Sequence, residues 1–440
     1  MSKFSLLDRA VATARNAARP ELVGTVSSIV GLSVEVRGLD AAIGDLVSLG
    51  DYPGIDAEVV ATGAGGIRCM PLGRLTGLRA GAPARAASTP LLVPTGTGLF
   101  GRVINGLGRP IDGKGPLVSD GAVSLHHPSP SAMQRARITE QLQLGVRVLD
   151  TLTAVGKGQR MGLFAGSGVG KSSLLSMIAR GTDAEVSVIA LVGERGREVR
   201  EFLEDDLGPE GLARSIVVVS TSDEPAMMRL RAAFTATRIA ESFRDRGSDV
   251  VLMMDSLTRV AMAQREIGLS VGEPPATRGY PPSTFSVLAQ LLERAGTGET
   301  GSITGMYTVL VDGDDHNEPI ADAARSILDG HVVLDRKLAV TGHFPSIDVL
   351  ASISRVASRV NTPARNQVAA TLRRVLAARQ GAQDLLDVGA YRVGTNPLVD
   401  AAVNNANAIT SFLQQRMDDQ TPTAVAWDRL GALTRQLGVS

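Results

Sequence analysis

The feature that most narrows what this chain can fold into is an eight-residue stretch, Ala165-Gly-Ser-Gly-Val-Gly-Lys-Ser172. It lies directly between an apolar strand-like run, Met161 to Ala165, and a helical run, Ser172 to Arg180. Glycines spaced in this way let successive backbone N–H groups converge on phosphate oxygens at the start of a helix. In that arrangement Lys171 reaches the terminal phosphates and the Ser172 hydroxyl ligates Mg²⁺. Gly166, Ser167, Gly168, Val169, Gly170, Lys171, Ser172 and Ser173 are therefore the candidate residues for binding a nucleoside triphosphate. Ala165 stands where the pattern usually has its first glycine, and the glycines do not follow the spacing of a dinucleotide fingerprint.

Around this loop, strand-like and helical runs alternate. The strand candidates are Met161 to Ala165, Val186 to Val192, Ile216 to Ser220, Val250 to Met254 and Ile303 to Val311, and the helical ones include Ser172 to Arg180, Glu224 to Arg246 and Ser283 to Ala295. Such alternation predicts a parallel sheet covered by helices on both faces, with ligands at the carboxyl ends of the strands. Two carboxylates fall at such ends. Asp255 closes the apolar run Val250 to Met254, which suits a second Mg²⁺ ligand, although an aspartate there also suits the cap of a following helix. Glu194 follows another strand and suits the polarising of an attacking water.

The flanks read differently. From Glu21 to Thr89 short β-like runs are broken by glycine and proline, which predicts a small barrel. Its one aromatic residue, Tyr52, is too few for the stacking platforms that single-stranded nucleic acid needs. Pro90 to Pro130 is rich in proline and glycine. After Asn361 the runs are helical: Gln367 to Arg379, Pro397 to Met417 and Thr423 to Leu437. At the other end Phe4, Leu7, Val11, Ala14 and Ala18 recur at helical spacing before Pro20, either as a packing helix or as an amphipathic helix that docks on a partner or an anionic lipid surface. The predicted organisation is a helix over 1–19, a barrel over 20–89, a nucleotide-binding domain over 90–360 and a helical domain over 361–440.

Composition removes other classes. The 45 basic and 45 acidic residues balance, so no global charge draws the chain to nucleic acid or membrane. No apolar run approaches the roughly 18 residues that span a bilayer. A single cysteine, Cys69, cannot form an internal disulfide, which fits a reducing, cytoplasmic setting.

Two further segments carry a family likeness. Gly193-Glu194-Arg195, together with Pro345-Ser-Ile-Asp-Val-Leu-Ala-Ser-Ile-Ser354, resembles the hexameric ATPases related to the catalytic subunit of rotary ATP synthase. Within that family the phrases Gly158 to Lys171, Asp255 to Glu266, Gly272 to Pro282 and Gly313-Asp-Asp315 look like the ATPases of type III protein export, flagellar first and the virulence injectisome second. The resemblance implies a barrel, a P-loop (RecA-like) α/β core and a helical domain, and an Mg²⁺-dependent ATPase. It implies that Glu194 is catalytic with Arg195 beside it, that Phe344 stacks on adenine, and that Arg355 is a finger reaching a neighbour's site in a homo-oligomer, a hexamer. It adds Arg259 as a helper near the phosphates.

By the same resemblance the partners are a stator-like regulator at Phe4 to Ala18, a central coiled-coil stalk near Asp384 to Tyr391, export-gate membrane proteins, and export substrates with their chaperones. The setting is the inner face of the cytoplasmic membrane. Other readings share the core. A rotary synthase subunit conflicts with the phrases from Asp255 to Pro282, a ring RNA translocase conflicts with the aromatic-poor barrel, and a non-catalytic scaffold conflicts with an acid rather than glutamine at position 194.

Overall fold

The computed structural model describes residues 22–87, 91–311 and 318–439. The run Phe4 to Ala18 and the phrase Gly313 to Asp315 lie outside the described residues. The chain divides into two compact units, with the break after Leu91; Ser270–Gly272 belong with the first.

In the first unit β1 (Val23–Val30), β2 (Ser33–Arg37), β3 (Leu46–Leu49), β4 (Ile55–Gly63), β5 (Gly66–Pro71) and β6 (Pro83–Ala86) close into a barrel in the order β1-β2-β5-β4-β3-β6. Alternation drives closure: Val47 and Leu49 point inward between Leu46 and Ser48, and Val34, Val36 and Val59 join them. A barrel this small is filled by its own side chains. Cys69 is among them, and burial pushes its thiol up to about 12, so it is unreactive.

In the second unit β7 (Leu92–Thr95) pairs with β9 (Gly121–Ser124). The main sheet is built from β8 (Val103–Asn105), β10 (Arg160–Ala165), β11 (Val186–Glu194), β12 (Ser215–Thr221), β13 (Asp249–Asp255), β15 (Ser302–Leu310), β16 (Gly330–Leu334) and β17 (Ile347–Ser354), with the short β14 (Gly296–Thr297) beside β15. Its order is β17-β16-β10-β15-β13-β11-β12-β8. The central strands are buried along nearly their whole length, as Val186 to Gly193 shows, because both faces are covered.

Two parts of the sheet differ from expectation. β17 runs antiparallel to β16 at one edge, so the sheet is not purely parallel. Its alternating burial, with Ile347 and Val349 inside and Asp348 and Leu350 less so, is that of an edge strand and not of a buried run. At the other edge β8 comes from the proline- and glycine-rich passage and pairs with β12; three residues are too few to show a period.

The carboxyl-terminal helices are Pro363–Gly381, Pro397–Asn404, Ala406–Leu413 and Thr423–Leu437. The single helix expected from Pro397 to Met417 is instead broken at Asn405, and its second half stops at Leu413. Asn405 turns its side-chain amide back onto the Ala401 carbonyl (2.9 Å) and leaves helical geometry, the local competition that makes asparagine a poor helix-interior residue. Leu372, Val399, Phe412, Trp427 and Leu430 from these helices share one core with Leu144, Val148 and Leu163. Buried Arg147 fastens them: its guanidinium donates to the carbonyls of Phe412 and Gln414 and pairs with Asp419 (2.6 Å).

Candidate active site

The loop after β10 turns through two left-handed glycines, Gly168 (φ 76°) and Gly170 (φ 91°), conformations costly for any residue with a side chain, and the helix Lys171–Gly181 begins at once. Parallel pairing places the ends of β10, β11, β13 and β15 at one edge: Ala165 lies opposite Leu310 and Leu191 opposite Asp255. The last residues of β11 and β13, Glu194 and Asp255, therefore face the loop. Lys171 Nζ stands 2.6 Å from Asp255 Oδ1 and 3.3 Å from Glu194 Oε1.

All but one of the loop candidates, together with Glu194, Arg195, Asp255 and Arg259, line a single cavity of about 400 Å³. The exception is Val169, whose side chain is buried beneath the loop. The Arg195 guanidinium is exposed and turned to Glu198 (2.6 Å). Arg259 crosses behind Gly193, and its buried Nε has no hydrogen-bond partner among the described residues. A cavity of about 770 Å³ at the other end of the sheet, around Arg135, Arg160 and Asp329, is larger, but Arg135 pairs there with Glu293, and Arg160 with Asp329 and Glu293.

Burial pushes the Glu194 carboxyl up to about 7, with the Asp255 charge adding to it and Lys171 opposing. Glu198 is held below the usual carboxylate range because it takes a hydrogen bond from Glu194 and pairs with Arg195. Burial works against the Lys171 ammonium, but the attraction of Asp255 and Glu194 outweighs it and holds its pKa above the usual value.

Phe344 lies beside the loop rather than in this cavity: its ring is in contact distance of Gly170, where an added Cβ would meet two ring carbons at 3.3 Å. Arg355 is elsewhere. Its N–H donates to the Asp329 carbonyl (3.0 Å), while the Asp329 N–H donates to that of Arg160 (2.8 Å), which sets Arg355 level with the beginning of β10. The loop follows the other end of that strand, five residue steps or about 16 Å away. The Arg355 guanidinium is exposed and donates to the Arg325 carbonyl (3.3 Å). It has no contact with the loop of its own chain.

Sequence reasoning missed several participants. Glu198 stands beside Glu194 and pairs with Arg195. Thr308 donates to Asp255 Oδ1 (2.8 Å), and Ser346 donates to the Val169 carbonyl (2.6 Å). Glu198 lies four residues after Glu194, in the first turn of the helix Gly196–Glu201 that follows β11; the other two, in β15 and just before β17, are far along the chain and left no local signal.

Residues 145–354 match the ATP synthase alpha/beta family, nucleotide-binding domain, and residues 361–432 match the T3SS EscN ATPase C-terminal domain. The chain is 51% identical to the flagellum-specific ATP synthase of Bacillus subtilis (strain 168), over 94% of this chain and 95% of that one. It is 48% identical to the type 3 secretion system ATPase of Xanthomonas euvesicatoria, over 90% of each. Among solved structures it resembles the assembled ATPase EscN of the enteropathogenic E. coli type III secretion system, solved with its central stalk EscO: TM-score 0.87, 41% identity, 93% of this chain and 100% of that one. The barrel, the sheet and the terminal helices all have counterparts within that coverage. This chain is an ATPase and belongs to the ATP synthase alpha/beta family, in the branch of the flagellum-specific ATP synthases and the type III secretion ATPases.

Proposed function

We propose that this chain is the ATP-hydrolysing motor subunit of a flagellar type III export apparatus, working as a ring, a hexamer, whose sites are completed at subunit junctions. One observation carries the reading. Lys171, Glu194 and Asp255 converge at one edge of the sheet, while Arg355 of the same chain stands about 16 Å away at the other, free to serve a neighbour.

In this reading the backbone N–H groups of residues 166–173 cradle the phosphates and Lys171 neutralises the terminal ones. Ser172 and Asp255 line the same cavity, and their hydroxyl and carboxylate oxygens suit Mg²⁺, which prefers one or two protein oxygens completed by phosphate and water. When bound there, the ion neutralises charge on the transferred phosphoryl group. Glu194 orients the attacking water and takes its proton. Arg195 and Arg259 add positive charge at the rim, Phe344 supports the base beside Gly170, and a neighbour's Arg355 stabilises the transition state.

Coupling follows the family pattern. EscN is solved on a central stalk, and here the helix Gln383–Asp387 and the turn after it offer exposed Leu385 and Val388 as the matching surface. The amino-terminal residues Phe4 to Ala18 are the place for a stator-like regulator. Export-gate proteins, substrates and their chaperones are the partners at the cytoplasmic face of the membrane, where hydrolysis drives substrate unloading and entry. Among the described residues no helix is long and apolar enough to cross a membrane. The flagellar assignment rests on the greater identity to the Bacillus relative; an injectisome role rests on the Xanthomonas and EscN likenesses.

The test is ATP hydrolysis per subunit over a wide range of protein concentration, with Mg²⁺ present. A steep rise, tracking assembly by sizing, is expected of a site finished by a neighbour. A rate that stays constant down to concentrations where the protein sizes as a monomer would rule out the composite site.

A further inference from the structure

Beneath the phosphate loop a buried side chain donates a hydrogen bond to its backbone. Ser346 is 1% exposed, and its hydroxyl donates to the carbonyl of Val169, itself 1% exposed, at 2.6 Å. The two residues lie 177 positions apart, one at the centre of the loop and one just before β17. Val169 stands between the two left-handed glycines with its side chain in the core, and around Gly168 an added Cβ would meet nothing within 4 Å.

A peptide group is planar, with its carbonyl and the next N–H on opposite sides. Holding the Val169 carbonyl into the interior therefore turns the Gly170 N–H the other way, and Gly170 lines the nucleotide cavity. Two residues upstream of Ser346 the Phe344 ring lies against Gly170, so consecutive loop residues are gripped by one short segment. That segment is itself anchored: the Asp335 N–H donates to the Ser346 carbonyl (2.8 Å) and the Gln415 N–H to the Phe344 carbonyl (2.9 Å).

We propose that Ser346 is a positioning residue of the phosphate site, pre-setting the Val169–Gly170 peptide for a bound nucleoside di- or triphosphate. The inference rests on the assignment of this loop to ATP. A glycine-rich loop left free must be ordered when phosphate binds, and a loop already held avoids that loss. Ser346 touches no reacting atom, so its effect belongs in affinity and not in the chemical step.

The test is equilibrium binding of a fluorescent ADP with Mg²⁺, together with KM and kcat for ATP at a concentration where the ring is formed, for wild type and Ser346→Ala. Ser352→Ala is the control. Ser352 is equally buried and donates to the Asp348 carbonyl (2.6 Å) while accepting the Val333 N–H (3.0 Å), but it makes no contact with the loop. Loss of one hydrogen bond's worth of preorganisation predicts a roughly two- to tenfold weaker ADP affinity and higher KM in Ser346→Ala, with kcat within about twofold. Ser352→Ala should lower the melting temperature and leave both affinities alone. Unchanged affinity in Ser346→Ala, or an equal loss in Ser352→Ala, would overturn the role of Ser346. A wild-type protein that binds no nucleotide would overturn the loop assignment, and this inference with it.

Discussion

The ammonium of Lys171 lies 2.6 Å from Oδ1 of Asp255, so the loop's lysine is held by the carboxylate proposed above as a metal ligand. Thr308 donates to that oxygen as well, at 2.8 Å, and Glu194 completes the lysine's surroundings at 3.3 Å. Under the proposed roles, a polyphosphate entering this site would draw Lys171 away from Asp255 and free the carboxylate for the divalent cation that accompanies the nucleotide. In the proposed site, binding of phosphate and binding of metal would be coupled through this one ion pair.

Asp255→Asn separates the two halves of that exchange. With the carboxylate neutralised, Lys171 is easier to recruit, so ADP affinity in EDTA should equal or exceed that of wild type. The gain in affinity on adding Mg²⁺ should vanish, and kcat should fall by about 10³ or more, the scale of several kcal/mol of metal-borne charge stabilisation. Titrations with and without Mg²⁺ check this; an intact Mg²⁺-dependent gain would remove Asp255 from the metal site.

Glu194→Gln keeps shape and a donor for Glu198 while removing the base. Nucleotide binding should persist within a fewfold, and turnover should drop by about 10² to 10⁴, the usual contribution of a positioned base. Near-normal phosphate release from this variant would show that Glu194 is not the base.

How much of this was legible follows from where each contact lies along the chain. The glycines, Lys171 and Ser172 are contiguous, and Glu194 and Asp255 each end an apolar strand, so local chemistry and period were enough to place them on one edge. Ser346, Thr308 and the antiparallel course of β17 depend on pairings between distant segments, and nothing in the residues around them announces a partner. The signature Pro345 to Ser354 was recognisable only by resemblance. In the fold it begins beside the phosphate loop and runs along β17 to Ser354, the residue before Arg355, at the other end of the sheet. The break at Asn405 was a misjudged competition: apolar spacing ran through it, and the side chain's own hydrogen bond won.

Asp150 makes stability depend on pH. It is 1% exposed and accepts the N–H groups of Leu144 (2.8 Å) and Gly145 (3.0 Å), yet burial pushes its carboxyl up to about 7. In an unfolded chain the group titrates near about 3.9. Between these values the folded protein holds a proton that the unfolded chain has released, so this group's contribution is fully present on the acid side and is lost as pH rises toward 7, at most about 4 kcal/mol in all. Asp150→Asn removes that slope. Urea unfolding at several pH values should show the wild type losing ground to the variant as pH rises from about 5 to about 8; a difference that does not change with pH would contradict the raised pKa.

Arg355 permits the sharpest test of assembly. Its backbone is level with the beginning of β10 while the phosphate loop follows the end, so its own site is out of reach. Fingers contribute about 10³ to 10⁵ in rate, or roughly 4 to 7 kcal/mol, and Arg355→Ala should lose that much in kcat with little change in ADP affinity. Arg355→Ala and Glu194→Gln rings should each be nearly inactive alone. Mixed before assembly in equal amounts, they form some junctions in which the site comes from a chain with Glu194 and the finger from a chain with Arg355. With random head-to-tail placement that is about one junction in four, and activity should recover toward a quarter of wild type. A finger acting within its own chain would give no such junction, because every chain in the mixture lacks one of the two groups. Absence of recovery at any mixing ratio, in rings shown by sizing to contain both chains, would therefore overturn the assignment of Arg355 to a neighbour's site.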